Sequence, residues 1–374
     1  MDLLDRLALY ISKIRRVSCE YGIPPVRQIS QISHLLRSLG RIGPGDYYAY
    51  RLFDDSLTLA EKEEFVGWRA EPRLDALNDR AWHCLGLDKV LMYGLFHSVG
   101  IRFPETRAIY FPGQGRPLAG ATVLKSFDEL CAWLRTPSNY PFFSKPSASG
   151  FARGAFYARG YDQTTDSILF KDGTSLKLTE FDRHFHDIEH LGYLFQTPIQ
   201  ADLRLVGALG DIVSSLRMMV LYDEHEGPLL HRCFWKLPTG NNMYDNYDGG
   251  RSGNLAAAID TQTGRITRAI TGFGLDVVDV AHHPDTGVPL NTLSVPDWDH
   301  VVDFTLNAAL SLPKLRFQQW DISLAEGGPM ALEVNLFGTA GGTVSQLVYR
   351  KGLLDDTMQA FLHRHHARTR NMTA

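Results

Sequence analysis

Apolar positions along the chain alternate between a helical and a strand period, and each change of period predicts a change of element. Leu3, Leu4, Leu7, Ile11 and Ile14 recur at helical spacing, and Ile29, Ile32, Leu35, Leu36 and Leu39 do so again before the break "GRIGPG". Thr58-x-x-Glu61 is a capping box that opens a further helix. In "LDKVLMYGLFHSVGIRFPET" the stripe Leu91, Leu95, Val99 predicts one more helix, stopped by Gly100 and followed by an extended exit at Pro104. A short strand around "AIYF" comes next, then a helix capped by Ser126 with Glu129.

From there the period is mostly that of strands. "YPFFSKPSASGFARGAFYA" reads as strand, Gly/Ser loop, strand, and "SILFKDGTSLKL" as a hairpin with an Asp-Gly turn. "GYLFQTPI" is a strand, "DIVSSLRMMVLYDEHEGPLLHRCFWKLP" a long hairpin and "NLAAAIDTQTGRITRAI" another. A helix is expected after Pro296, and a last one from Gly352 to about His365. The expected class is therefore α+β, with a mainly helical region over residues 1–85, a first mixed unit over 86–195 and a second over 196–374.

Composition narrows the function. A chain of 374 residues with 44% hydrophobic content is long enough for two or three lobes around a sizeable core. Thirty-eight basic against 42 acidic residues give a net charge of -4, which offers no cationic field for nucleic acid. Cys19, Cys84, Cys131 and Cys233 form no C-x-x-C pair and read as reduced packing residues. No run approaches a membrane span and the opening residues lack the basic start of a secretion signal, so a cytoplasmic, soluble chain acting on small molecules is the expectation.

The segment "WDISLAEGGPMALEVN" carries the most informative interruption of an apolar run. If its two halves pair through a loop with an odd number of residues, Asp321 falls opposite Glu333, and Asn335 shares the face of Glu333 by the two-residue strand period. Two carboxylates and an amide oxygen suit Mg²⁺ better than a transition metal. Cations that could hold an accompanying phosphate are Lys89, Lys145, Arg217 and Lys236, each set in otherwise apolar sequence where a charge needs a partner. Each alone reads as a snorkelling surface residue. After Lys145, however, "PSASGFARGAF" supplies Gly150 and Gly154, whose backbone can approach phosphate oxygens. That loop is neither a P-loop nor a dinucleotide fingerprint.

This ordered set resembles the ATP-grasp superfamily. Asp88-Lys89 with "GIRFPET" is similar to its first lysine segment, "FFSKPSASGFARGAF" to its second lysine and phosphate loop, and "YLFQTPIQ" to the hinge that meets adenine. "SSLRMMV" resembles the strand with the phosphate-binding arginine, and "DISLAEGGPMALEVN" the terminal metal signature. "YYAYRLFDDSLTLAEKEEFVGW" and "MYDNYDGGRSGNLAAAID" are most similar to the sugar-transfer-associated branch, and the resemblance covers roughly residues 45–350. It implies two α+β lobes clasping ATP between antiparallel sheets. Lys89 and Lys145 would then bind the nucleotide phosphates, with Ser149, Gly150 and Gly154 over them. Gln196 and Ile199 would line the adenine slot, and Asp202 would bind the ribose. Arg217 would stabilise the transferring phosphoryl group, with Lys236 and Asn246 on the same wall. Mg²⁺ would sit on Asp321, Glu333 and Asn335.

The implied activity is that of an ATP-dependent carboxylate-amine ligase, working through an acylphosphate and releasing ADP and phosphate. Its substrates would be a small-molecule carboxylate and amine, from a small metabolite or an envelope-related precursor. A kinase acting on a hydroxyl and a non-catalytic nucleotide-binding module are the alternatives. No G-x-S-x-G and no Cys/His pair compete for the chemistry. His186 and His190, at i, i+4, read as a solvated helix face, and "LHRHHARTR" as a frayed end.

Overall fold

A computed structural model describes residues 3–113, 115–148, 154–181, 192–240, 242, 244–336 and 341–372. Two seven-stranded sheets organise the described residues. The first contains β1 (Thr106–Tyr110), β2 (Thr122–Leu124), β3 (Phe142–Pro146), β4 (Phe156–Asp162), β5 (Ser167–Phe170), β6 (Ser175–Lys177) and β7 (Tyr193–Gln196), in the order β2-β1-β7-β3-β4-β5-β6. Only β1 and β2 run parallel. The second contains β8 (Ser215–Asp223), β9 (Gly227–Leu237), β10 (Leu255–Ile259), β11 (Ile266–Thr271), β12 (Val278–Asp279), β13 (Phe317–Ala325) and β14 (Gly328–Asn335), all antiparallel in the order β12-β11-β10-β9-β8-β13-β14.

The second sheet is buried on both faces, which explains why its central strands read as nearly unbroken apolar runs. Trp320, Ile322, Met218 and Trp235 meet the helices Lys89–Val99 and Trp298–Leu310 on one side. Phe317, Met219, Phe234 and Ala258 meet the helices Gly342–Tyr349 and Asp356–Met372 on the other. That second core also takes in Val66, Ala70, Leu74 and Leu77. Asn78 stitches the same segment to the sheet: its Nδ2 donates to the carbonyls of Phe317 (2.8 Å) and Leu336 (2.7 Å), and its Oδ1 accepts from Phe317 N (2.9 Å).

Local signals placed the elements well. Thr58 accepts from Glu61 N to open Leu59–Glu63, Ser126 accepts from Glu129 N to open Phe127–Leu134, and Gly100 ends its helix at φ 73°. Three expectations need correction. Leu91 and Val99 are exposed; the buried stripe of that helix is Val90, Met92, Tyr93 and Phe96, because the sheet lies on the side that those residues face. The helix expected from Gly352 begins at Asp356, and an unexpected helix, Gly342–Tyr349, precedes it.

The third correction concerns the β13–β14 hairpin. Its turn has two residues, Glu326 and Gly327, since Ala325 pairs with Gly328. An unbroken ladder from that turn would put Leu332 opposite Asp321 and send Glu333 to the Trp320 face. A bulge intervenes: Ile322 pairs with Ala331 but Asp321 pairs with Glu333, so Leu332 is the extra residue. The expected register was reached through this insertion rather than through an odd loop.

Candidate functional site

Charged side chains from both sheets and from the helix Lys89–Val99 meet around Asp321 and Glu333. The helix start is fixed by Asp88, whose Oδ1 accepts from Val90 N (2.9 Å) and Leu91 N (3.2 Å) while its Oδ2 accepts from Arg116 (2.5 Å). Lys89 N donates to Ser147 O at 2.9 Å, tying this helix to the end of β3. Lys89 Nζ then lies 3.6 Å from Glu333 Oε2. Lys145, on β3, donates to Tyr93 Oη at 2.7 Å, and burial pulls its ammonium down to about 8, against the raising pull of Glu333 and Asp321.

Adjacent strands set the other half of the cluster. Asp321 is opposite Arg217 in the β13–β8 ladder, and Ser215 is opposite Lys236 in the β8–β9 ladder, so all four share one face. Arg217 grips Asp321 at two points, Nε to Oδ1 at 2.5 Å and Nη2 to Oδ2 at 3.0 Å. Lys236 Nζ stands 3.4 Å from Asp321 Oδ1. Burial opposes the charge on Asp321, yet Arg217 and Lys236 hold its carboxyl below the usual range. Gly341, at φ 79°, lets the chain pass close over Arg217: a Cβ there would fall 2.8 Å from Nη1.

Two participants were not read from the sequence. Asp245 lies 3.8 Å from Lys236 Nζ and accepts from Ser215 Oγ at 2.6 Å; burial raises its carboxyl, against the lowering pull of Lys236 and Ser215. Tyr93 is fully buried and joins Lys145 to the carbonyl of Leu332. Nothing local marks either residue, since an Asp in a polar loop and a Tyr in an apolar helix are ordinary occupants of those settings.

Other expected residues sit apart from the cluster or are engaged elsewhere. Asn246 contributes its carbonyl to Asn254 Nδ2 (2.9 Å), and it is the neighbouring Asp245 that reaches Lys236. Gln196 is buried, donating to Pro104 O (3.3 Å) and Thr106 Oγ1 (3.2 Å). Ile199 is half-buried beyond the end of β7. Asp202 caps the helix Leu203–Leu209 and receives both Arg204 N (2.9 Å) and the Arg204 guanidinium (2.7 Å), which hold its carboxyl below the usual range. Gly154 leads into β4 at φ 75°. Ser149, Gly150, His186 and His190 lie outside the described residues.

The donors fit a hard divalent cation in kind. Glu333 and Asn335 share a face, and Asn335 Nδ2 lies 3.4 Å from Glu333 Oε1 and 3.5 Å from Asp321 Oδ2. Two carboxylates and an amide make up the set; among the described residues no group of three His, Cys, Asp or Glu side chains is placed to hold a metal. Both Asp321 oxygens are engaged by Arg217, so Glu333 and Asn335 are the donors nearer to hand.

Two sheets and one helix thus bring Lys89, Lys145, Arg217 and Lys236 around Asp321, Glu333 and Asn335. A family profile for sugar-transfer associated ATP-grasp proteins matches residues 74–361, and the chain belongs to that family. It has the ATP-grasp fold, preceded by a helical region. Among solved structures it is similar to D-alanine–D-alanine ligase from Bacillus anthracis, at 13% identity and a TM-score of 0.39, over 82% of this chain and 77% of that one. It is also similar to an L-amino acid ligase from Bacillus licheniformis, at 12% identity and a TM-score of 0.39, over 74% of this chain and 48% of that one. A third is the biotin carboxylase domain of the Hydrogenobacter thermophilus 2-oxoglutarate carboxylase, in complex with MgADP, ADP and bicarbonate. It matches at 13% identity and a TM-score of 0.36, over 70% of this chain and only 42% of that one. No curated protein matches the chain. No helix among the described residues is long and apolar enough to cross a membrane.

Proposed function

We propose that the chain is an ATP-dependent carboxylate-amine ligase. The observation that carries this reading is the convergence of Lys89, Lys145, Arg217 and Lys236 on Asp321, Glu333 and Asn335 within a fold of the ATP-grasp family. The anionic oxygens of a triphosphate and an attacking carboxylate repel one another, and fixed cations in a partly dry site offset that repulsion without reorganising. Lys89 and Lys145 would hold phosphate oxygens from the helix and β3, Gly154 would border the loop over them, and Arg217 would meet charge developing on the transferred group. Gln196 and Ile199 keep their proposed place along the adenine slot through their backbone, and Asp202 would offer the ribose only what Arg204 leaves. Glu333 and Asn335, backed by Asp321, would hold Mg²⁺, which would supply charge neutralisation for the nucleotide phosphates.

In the proposed reaction a substrate carboxylate oxygen attacks the γ-phosphorus and ADP leaves; an amine nitrogen then attacks the acyl carbon, phosphate leaves and the nitrogen loses a proton. The substrates would be a small-molecule carboxylate and a small-molecule amine, with a cytoplasmic location. Incubation with Mg-ATP and a pool of amino acids, carboxylic acids and sugars tests this. Substrate-dependent ADP with equal free phosphate is the expected result. ADP without phosphate would make the chain a kinase acting on a hydroxyl, AMP would overturn the acylphosphate route, and no turnover with any acceptor would leave a nucleotide-binding module.

A pH dependence follows from Lys145. Its folded value of about 8 lies below the ordinary 10.5, so its positive charge is lost as pH rises through about 8. MgADP affinity is therefore expected to fall between pH 7 and 9, roughly tenfold per pH unit at most above the transition. Lys145→Met should flatten that profile in calorimetric titrations. For the free protein the sign is opposite. Between about 8 and 10.5 the unfolded chain binds more protons at this site than the folded one, so this group's contribution to stability increases with pH across that window.

A further inference from the structure

We infer that Tyr93 is a positioning residue that couples the phosphate lysine of the first sheet to the metal strand of the second, an inference that rests on the nucleotide reading above. Beside the Gln196 side chain, the tyrosine hydroxyl takes part in two bonds of opposite sense. It accepts from Lys145 Nζ at 2.7 Å and donates to Leu332 O at 2.8 Å. Leu332 is the inserted residue of the β14 bulge, the one displacement that brings Glu333 opposite Asp321. A bulge leaves its extra residue outside the ladder, and here the carbonyl of that residue is satisfied by a side chain instead of by the neighbouring strand.

The ring is fixed as firmly as the hydroxyl. Tyr93 is fully buried, stacks on Phe103 with centroids 5.0 Å apart and an interplanar angle of 16°, and lies 6.1 Å from the ring of Phe96. Bonds arranged donor to acceptor to donor strengthen one another, so an ammonium held on the phenol oxygen makes the phenol a better donor to the bulge. A phosphate that recruits Lys145 therefore also alters the hold on Leu332, one residue from Glu333. Nucleotide phosphate and divalent cation are linked through a single buried hydroxyl.

Tyr93→Phe removes the oxygen and keeps the ring, so it is the discriminating variant. In the full chain, MgADP binding is titrated by calorimetry at a series of Mg²⁺ concentrations, alongside thermal unfolding. The expected result is a five- to tenfold rise in the Mg²⁺ concentration at half-maximal ADP binding, and a double variant Tyr93→Phe/Lys145→Met that binds no more weakly than Lys145→Met alone. A lowered melting temperature with an unchanged Mg²⁺ midpoint would reduce Tyr93 to packing and overturn the inference. So would strictly additive losses in the double variant. If Tyr93→Phe proves too unstable to purify, Lys145→Met must itself raise the Mg²⁺ midpoint, and failure to do so would sink the coupling. Absence of MgADP binding by the unaltered chain would instead overturn the nucleotide reading on which the coupling rests.

Discussion

Glu333→Ala is expected to leave the chain folded and to reduce Mg-ATP turnover on the order of 10³-fold, the scale seen when one preorganised charge-stabilising group is taken from a transition state. The two effects separate because of where Glu333 stands. Its side chain is about one-third exposed on β14, which ends the second sheet, so truncation opens no core cavity. Lys89, itself buried, loses a partner 3.6 Å away whose own side is partly open to water, at a cost of about 1 kcal/mol. The catalytic loss is larger because Glu333 is the carboxylate of the set least committed to other protein groups, whereas Asp321 is clamped by Arg217. Thermal unfolding and a coupled ADP assay at saturating Mg²⁺ check both halves. Turnover within tenfold of the unaltered chain would remove Glu333 from the proposed metal site.

Arg217→Met should be the more damaging change for stability, by about 3–5 kcal/mol, because it leaves Asp321 charged in a buried position. The strand partners of Arg217 in the ladder, Phe234 and Asp321, admit little water to replace the guanidinium. Lys236 remains 3.4 Å from Asp321 and softens the loss without restoring the two-point pair. The double variant Arg217→Met/Asp321→Leu is expected to unfold at a higher urea concentration than Arg217→Met alone, since it removes both charges and leaves Lys236 with Asp245 at 3.8 Å. A double variant less stable than either single change would show that the pair contributes packing rather than charge compensation. In the same urea series, a neutral Arg217→Met would refute the claim that Asp321 stays ionised when buried.

Much of this site was legible because its signals are local. A lysine next to a helix cap, a lysine before a glycine-bearing loop, an arginine in an apolar strand and an acid-x-amide on the following hairpin each break a hydrophobic pattern, and a broken pattern stands out in one dimension. Lys89, Lys145, Arg217, Lys236, Asp321, Glu333 and Asn335 were found in this way and meet in space. Asn246 stands one position from Asp245, the residue that reaches Lys236, since loop residues have no period to say which of two neighbours points inward. Tyr93 was invisible for the opposite reason: it continues an apolar pattern, and its polar atom acquires meaning only when Lys145 and Leu332 arrive from elsewhere in the chain.

The α+β class, the caps at Thr58, Ser126 and Gly100 and the hairpins are written in one dimension, because periodicity and capping depend on residues within a turn or two of one another. The buried side of the helix Lys89–Val99 depends instead on long-range packing, for the apolar residues of that helix run almost all the way round it and the sheet selects among them. Long-range packing likewise sets the register that makes Asp321 and Glu333 neighbours. A two-residue turn would have placed them on opposite faces, and the insertion at Leu332 is stabilised by a hydroxyl 239 positions away in the chain, a contact that no local pattern encodes.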